Sequence, residues 1–360
     1  MPRNIVVCCD GTANEFAARR TNVLKLAFAA EKRSGDQLVY YHPGLGTMAP
    51  PGLFTRVGQW TARLAGMAFG YGLKADIRDI YSFIINHYCP GDRLFIFGFS
   101  RGAYTARAVT SLLYGYGLLG PGNDALVPYA IRLLWRANQA RSDDAKTRYF
   151  KFAEEFRNTL SVAECQPHFL GVWDTVSSVG WIANPLSLPY THSLTGVRIV
   201  RHAVAIDERR AFFRTNLVAA DPKQDHVEVW FPGEHCDIGG GYSEAESGLS
   251  KLTLEWMIAE ADKAGMAFDQ DRIDLILGRK GHGYSPPDPR AVMHNSLTPI
   301  WWPAEFVPKK HWNGDLKRWE WRMNLFRRRR FSPAPCVDGS AWSRGKEYTK
   351  RLPPDAVRRA

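Results

Sequence analysis

Ser100 sits in Gly98-Phe99-Ser100-Arg101-Gly102, a G-x-S-x-G pattern with apolar Leu94–Phe97 before it and a helical run from Ala103 after it. A serine hydroxyl is a weak nucleophile until a base takes its proton, and the base needs an acid to fix its tautomer. The spacing predicts a nucleophile elbow, a sharp turn that lifts the Ser100 hydroxyl above the edge of a sheet. Side chains two residues before and two after would collide with neighbouring backbone, hence the glycines. The N–H of Arg101, at the start of the helix, would point at a developing oxyanion. Asp174 and His235 follow Ser100 in the order serine, acid, histidine, each at the carboxyl end of a later strand. Asp207 and Asp237 are rival acids, and His294 and His311 are rival bases, because a base has only to reach the serine in space. Asp10-Gly11-Thr12 ends an early apolar run, so the Gly11 N–H is the expected second oxyanion donor. Asp10 either shares that loop's chemistry or orders the elbow through hydrogen bonds. Thr12, Phe99 and Trp173, beside these positions, are assigned to the substrate wall.

The elements that must position these residues follow from periodicity. Ile5–Cys9 and His168–Val172 are continuous apolar runs, the form of strands buried on both faces, and Gln37–Tyr41 and Asp225–Phe231 are further strands. Helices are expected over Asn22–Lys32, Leu73–Ile85 and Ser250–Ala264, the last with a serine cap, and Arg201–Asn216 reads as a strand running into a charged turn. Strand and helix alternate, which gives a mostly parallel sheet with helices on both faces and ligand sites beyond the carboxyl ends of the strands. The expected fold is α/β and α/β-hydrolase-like, with helical insertions and an irregular C-terminal extension. Residues 1–285 form the catalytic domain in this scheme, with 122–160 as a cap-like helical insertion. Residues 50–72, where Leu53, Phe54, Val57, Trp60, Leu64 and Ala68 fall at helical spacing, are either a lid or membrane-facing helix or a packing helix. Residues 286–360 are a basic, Trp-rich extension packed on the core.

Composition narrows the partners. The 360 residues are 45% hydrophobic and 23% charged, ordinary for a chain that buries a core, and the formal charge of +11 favours an anionic partner. Half of the twelve tryptophans lie at or beyond Trp301, and Lys309–Phe331 ends in Arg327-Arg328-Arg329-Arg330. Trp at the headgroup zone with Arg on anionic lipid fits a membrane surface, and packed tryptophans with a solvated basic face fit equally; nucleic acid ranks behind both. The six cysteines lack C-x-x-C spacing and read as reduced core or near-core thiols. His235-Cys236-Asp237 lacks zinc-site spacing and Gly239-Gly240-Gly241 lacks a phosphate-loop frame, so neither metal nor cofactor is expected. Met1-Pro2-Arg3-Asn4 runs straight into a strand, without a signal peptide, and no apolar stretch is long enough to span a membrane. The expectation is a soluble cytoplasmic protein, with export by a signal-independent route left open.

The blocks CCDGTANEF, TNVLKLA, VYYHPGLGT, GFSRGAYTAR, GVWDTVSSVG, HAVAIDERRAFF, VWFPGEHCDIGGGY and LEWMIAEA, spread over most of residues 4–265, resemble the bacterial α/β-hydrolase family typified by type VI secretion phospholipase effectors. The resemblance implies a Ser-Asp-His serine esterase of phospholipase A type, with Ser100 as nucleophile and Asp174 as acid. It also implies a lipid or ester substrate, an anionic membrane surface and an immunity-type protein partner. Many members carry a His-x-Ser-Val-type block near the C-terminus where this chain reads Val337-Asp338-Gly339-Ser340-Ala341-Trp342, so His235 is taken as the base. A small-ester or thioester hydrolase, and a catalytically silent fold that binds membrane or a partner, are the alternatives.

Overall fold

Apolar side chains at every position from Ile5 to Cys9 force strand β1 (Asn4–Cys9) to be buried on both faces, and all six of its residues are buried. The computed structural model describes residues 2–11, 20–44, 67–139, 142–176, 180–181, 184–185, 187–219, 221–281, 283–313 and 318–359. β1 lies between β2 (Gln37–His42) and β3 (Arg93–Phe99), and the sheet continues through β4 (Phe169–Trp173), β5 (Ile199–Ala205) and β6 (Asp225–Phe231). Two short strands, β7 (Cys336–Asp338) and β8 (Val357–Arg359), complete an eight-stranded sheet of order β2-β1-β3-β4-β5-β6-β7-β8. Every pair in it is parallel. The fold is the expected α/β class with a wholly parallel main sheet.

Helices cover both faces. Ile5, Val7, Leu94 and Ile96 face one core with α2 (Met67–His87), α3 (Arg101–Tyr116), α4 (Val127–Gln139) and α5 (Asp143–Leu160). The alternate residues Val6, Cys8, Phe95 and Phe97 face a second core with α1 (Asn22–Ala29) and, after the short α6 (His235–Gly239), α7 (Gly248–Lys263) and α8 (Gln270–Ile276). A third cluster, Val204, Ile206, Trp230, Val337, Ala341 and Tyr348, packs the C-terminal segment onto β5 and β6. The register sets Phe99 opposite Trp173, Trp173 opposite Ala203, and Ala205 opposite Phe231. The loops after β3, β4, β5 and β6 therefore leave the sheet at one edge, and chain order reverses between β1 and β3, where ligand crevices of such sheets lie.

Several expectations change in detail. α1 ends at Ala29, three residues short of Lys32, because Ala30 turns to an extended backbone. α7 starts at Gly248 rather than Ser250, and Ser247 at its N-cap gives its hydroxyl to the Glu244 carbonyl (2.9 Å) instead of capping the helix. Of the suggested lid, residues 50–66 lie outside the described residues and 67–72 are the first turns of α2. α4 and α5 pack near the C-terminal end of α3, where Phe156 meets Tyr116, roughly 24 Å along the helix from Ser100. Lys309–Asn313 and Arg318–Arg322 form an antiparallel hairpin. Five cysteines are at least partly buried, but Cys89 is exposed, which corrects the expectation for that thiol; all six are free.

Candidate active site

Ser100 follows β3 at φ 59°, ψ −119°, a strained conformation for a residue with a side chain. Its N–H donates to the Trp173 carbonyl (3.1 Å), which ties the turn to β4. The flanking glycines are required by contact. A Cβ on Gly98 would stand 2.5 Å from the Gly102 carbonyl oxygen and 2.7 Å from Ala103 Cα. One on Gly102 would stand 2.2 Å from the Cys9 carbonyl oxygen, so α3 leaves the turn directly against the end of β1.

His235 opens α6 after β6, and Asp174 follows β4 at φ 37°. His235 Nε2 is 2.8 Å from Ser100 Oγ and Nδ1 is 2.6 Å from Asp174 Oδ2. A proton on Nδ1 is donated to the carboxylate, which leaves the Nε2 lone pair facing the serine hydroxyl. Asp174 and His235 are 1% and 3% exposed, so water screens this relay little. Burial alone would push the Asp174 carboxyl up, but Arg329 and His235 hold it far below the usual carboxylate range. Burial lowers the His235 pKa while Asp174 opposes, so the imidazole is a free base at neutral pH.

The His235 ring lies between Phe99 (4.6 Å between centroids) and Phe213 (4.7 Å). Phe99 reaches it because Gly239 has no side chain: a Cβ there would fall 1.9 Å from the Phe99 ring. Phe99 is thus a buried floor beneath the His235 ring, and Trp173 is fully buried with its indole N–H toward the Thr253 carbonyl (3.4 Å). The expected substrate-wall role of both is corrected to packing, and Thr12 lies outside the described residues. After β1, Asp10 accepts from Thr21 Oγ1 (2.5 Å) and Tyr41 Oη (2.7 Å), and its other oxygen takes the Gly11 N–H (2.7 Å). Asp10 therefore orders the loop. Gly11 approaches Ser100 closely, since a Cβ on it would be 3.5 Å from Ser100 Cβ, but its N–H is directed at Asp10.

A family described as the catalytic domain of Tle1-like phospholipase effectors of the type VI secretion system matches residues 3–260. The chain belongs to this family. A similar curated protein is the uncharacterized YEL023C of Saccharomyces cerevisiae, 26% identical over 74% of this chain; the chain spans 58% of that protein's length. Two solved structures are similar at 19% identity. One is an uncharacterized Pseudomonas aeruginosa protein (TM-score 0.44; 76% of this chain, 47% of that one). The other is the Tle1 effector bound to the VgrG spike (TM-score 0.36; 69% of this chain, 52% of that one).

The rival residues of this Tle1-like domain are engaged elsewhere. Asp207 accepts from Gly233 N–H (3.0 Å), Tyr348 Oη (2.6 Å), Arg328 (3.1 Å) and Arg351. Asp237 binds the Glu234 N–H (3.1 Å) and both the backbone (3.1 Å) and Nδ1 (2.7 Å) of His294, whose ring stacks on Tyr242. Asp237 and His294 are a pair of their own. His311 is on the hairpin, and its side chain lies outside the described residues.

Other charged residues around the site were not singled out by sequence. Glu208 and Arg210 pair at 2.7 Å, Arg210 also reaches Glu234 (3.2 Å) and covers the Phe213 ring, and Glu208 accepts the His235 N–H (3.4 Å). Burial opposes but Arg210 prevails in holding Glu208 low, whereas burial and the Glu208 charge push Glu234 up. Arg329 donates to both oxygens of Asp174. The DERR run marks Glu208 and Arg210 as charged but not as inward-facing, and nothing separates Arg329 from its three arginine neighbours. Among the described residues no group of three His, Cys, Asp or Glu could hold a metal, and no helix is long and apolar enough to cross a membrane.

Proposed function

We propose that this Tle1-like chain is a serine esterase that cleaves carboxylic esters of phospholipids in the manner of a phospholipase A. The observation that carries the proposal is the continuous relay from Ser100 Oγ through His235 to Asp174, at 2.8 and 2.6 Å. Ser100 Oγ attacks the ester carbonyl as His235 Nε2 takes its proton, and Asp174 stabilises the imidazolium through Nδ1. The oxyanion faces the N-terminal end of α3 at Arg101. His235 returns the proton to the leaving alcohol, and water attacks the acyl-enzyme by the same relay to release the fatty acid.

A lipid surface as the place of reaction is supported by the exposed apolar side chains of Ile300, Trp302, Phe306, Trp321 and Met323. They share the C-terminal segment with exposed Arg327 and Arg330, a combination that suits anionic headgroups. Trp301, next to two of them, packs on Phe213 (5.6 Å) and through it on His235. Delivery by a type VI spike and neutralisation by an immunity-type partner belong to the same proposal and rest on family membership alone.

The test is fatty-acid release from anionic phospholipid vesicles and from a soluble short-chain ester, wild type against Ser100→Ala. Wild type is expected to release acid from vesicles, and the variant to lose at least about 10⁴-fold in rate. Release from the soluble ester only would make the protein a small-ester hydrolase. Release from neither, with vesicle binding intact, would leave a silent fold that binds membrane.

A further inference from the structure

We propose that Arg329 is a positioning residue for the triad, a buried guanidinium that clamps both oxygens of Asp174 and so fixes the carboxylate against His235. The role rests on the serine-esterase proposal above. Arg329 Nη2 donates to Asp174 Oδ2 at 3.0 Å while Nη1 donates to Oδ1, the two-pronged geometry only a guanidinium supplies. The same group donates to the carbonyls of Phe213 (2.7 Å) and Ala205 (3.2 Å). One side chain thus holds the acid, the end of β5 and the aromatic wall of the base.

The burial separates this contact from a surface ion pair. The Arg329 side chain is 6% exposed and that of Asp174 1%, whereas its neighbours Arg327, Arg328 and Arg330 are exposed. An ionised carboxylate so deeply buried beside a neutral imidazole needs a counter-charge, and removing one partner of such a pair leaves the other uncompensated. Arg329 lies outside residues 3–260, the part matched by the family, so the counter-charge comes from the C-terminal segment.

Loss of Arg329 moves the His235 pKa in one direction. The groups facing the Asp174–His235 pair are Arg329 from the C-terminal segment, Glu208 and Arg210 after β5, and Glu234 at the N-cap of α6. Glu208 and Arg210 pair with each other, and a substitution at Arg329 leaves that pair in place. Without Arg329 the carboxylate has only the imidazole to neutralise it, so protonation of His235 becomes easier and its pKa rises.

The experiment uses full-length Arg329→Gln and Arg329→Lys with two readouts. The first is kcat and KM on the soluble ester and on vesicles against pH. Arg329→Gln is expected to lose about 10²-fold in kcat with little change in KM, and its acid limb moves to higher pH. Arg329→Lys, which keeps the charge without the fork, lies between. The second needs no substrate: titration of His235 by NMR in ¹⁵N-histidine-labelled protein, assigned with His235→Gln. A higher His235 pKa in Arg329→Gln supports the proposal even if wild type cleaves neither ester, a result that would overturn the esterase reading alone. An unchanged His235 pKa and unchanged acid limb in a folded Arg329→Gln would overturn it. If Arg329→Gln does not fold, a wild-type kcat in folded Arg329→Lys would do so, because the lysine keeps the charge and the clamp requires two prongs.

Discussion

Asp174 and Asp237 are both buried carboxylates bound to a histidine, yet only Asp174 lies on a line through an imidazole to a serine. That difference makes them a pair of controls. Asp174→Asn leaves the shape but favours the wrong tautomer of His235, and kcat is expected to fall by about 10⁴. Asp237→Asn weakens the cap of α6 at a cost of about 1 kcal/mol, readable as a lower urea midpoint, with kcat near wild type. Because burial lowers the His235 pKa, the acid limb of kcat/KM should lie below the ordinary imidazole value of 6.5, rate falling as pH drops through it. An acid limb above 6.5 would show that Asp174 outweighs burial. That Ser100, Asp174 and His235 would come together was legible in the sequence, because each follows the end of a strand of one parallel sheet. The burial of Trp173 was not, since a residue at a strand's end can face the crevice or either of the two cores. Its partners in the second core, Phe97 and Phe169, point to packing. Arg329 was illegible for another reason: four arginines in a row carry no period.

At the scale of elements, the elbow is where β1, β3 and α3 come closest, and the distances leave no slack. Gly102→Ala would set a methyl 2.2 Å from the Cys9 carbonyl oxygen, a backbone atom that moves only if β1 moves. The expected cost is about 1–3 kcal/mol, the range for overpacking, measured by chemical denaturation. A Gly102→Ala protein as stable as wild type would mean that α3 can shift away from the sheet. The long strands were legible because burial on both faces writes itself as an unbroken apolar run. β7 and β8, three residues each beside prolines and arginines, are too short to show a period of two. They join the sheet by extending an edge already laid down by β6, which is information about the fold and not about the segment.

Across the whole molecule, part of the positive charge that suggests an anionic partner is taken up by buried carboxylates. Arg328 and Arg351 bind Asp207, Arg329 binds Asp174, and Arg359 binds Glu260. Lys309 is fully buried, and its ammonium donates to the Ala211 carbonyl. Burial and Arg214 push its pKa down to about 7, against the opposing Glu305. The folded pKa lies below the ordinary 10.5, so between those values the unfolded chain binds more protons and stability rises with pH. Lys309→Met removes this linkage: its stability gain over wild type, from urea unfolding, should be largest below pH 7 and shrink toward about pH 10. A gain independent of pH would show that Lys309 stays charged when buried. The sequence carried the basic excess plainly, but not its direction, because ion pairs between segments far apart in the chain leave no local pattern.

Arg329 is 155 residues beyond Asp174 in the chain, and this separation has a consequence for the order of synthesis. A ribosome completes Ser100, Asp174 and His235 well before it reaches Arg329, so a nascent chain holds all three members of the relay while its acid still lacks a counter-ion. If the guanidinium is what aligns that acid, the cell making the protein meets a competent enzyme only after the C-terminal segment has left the exit tunnel and docked.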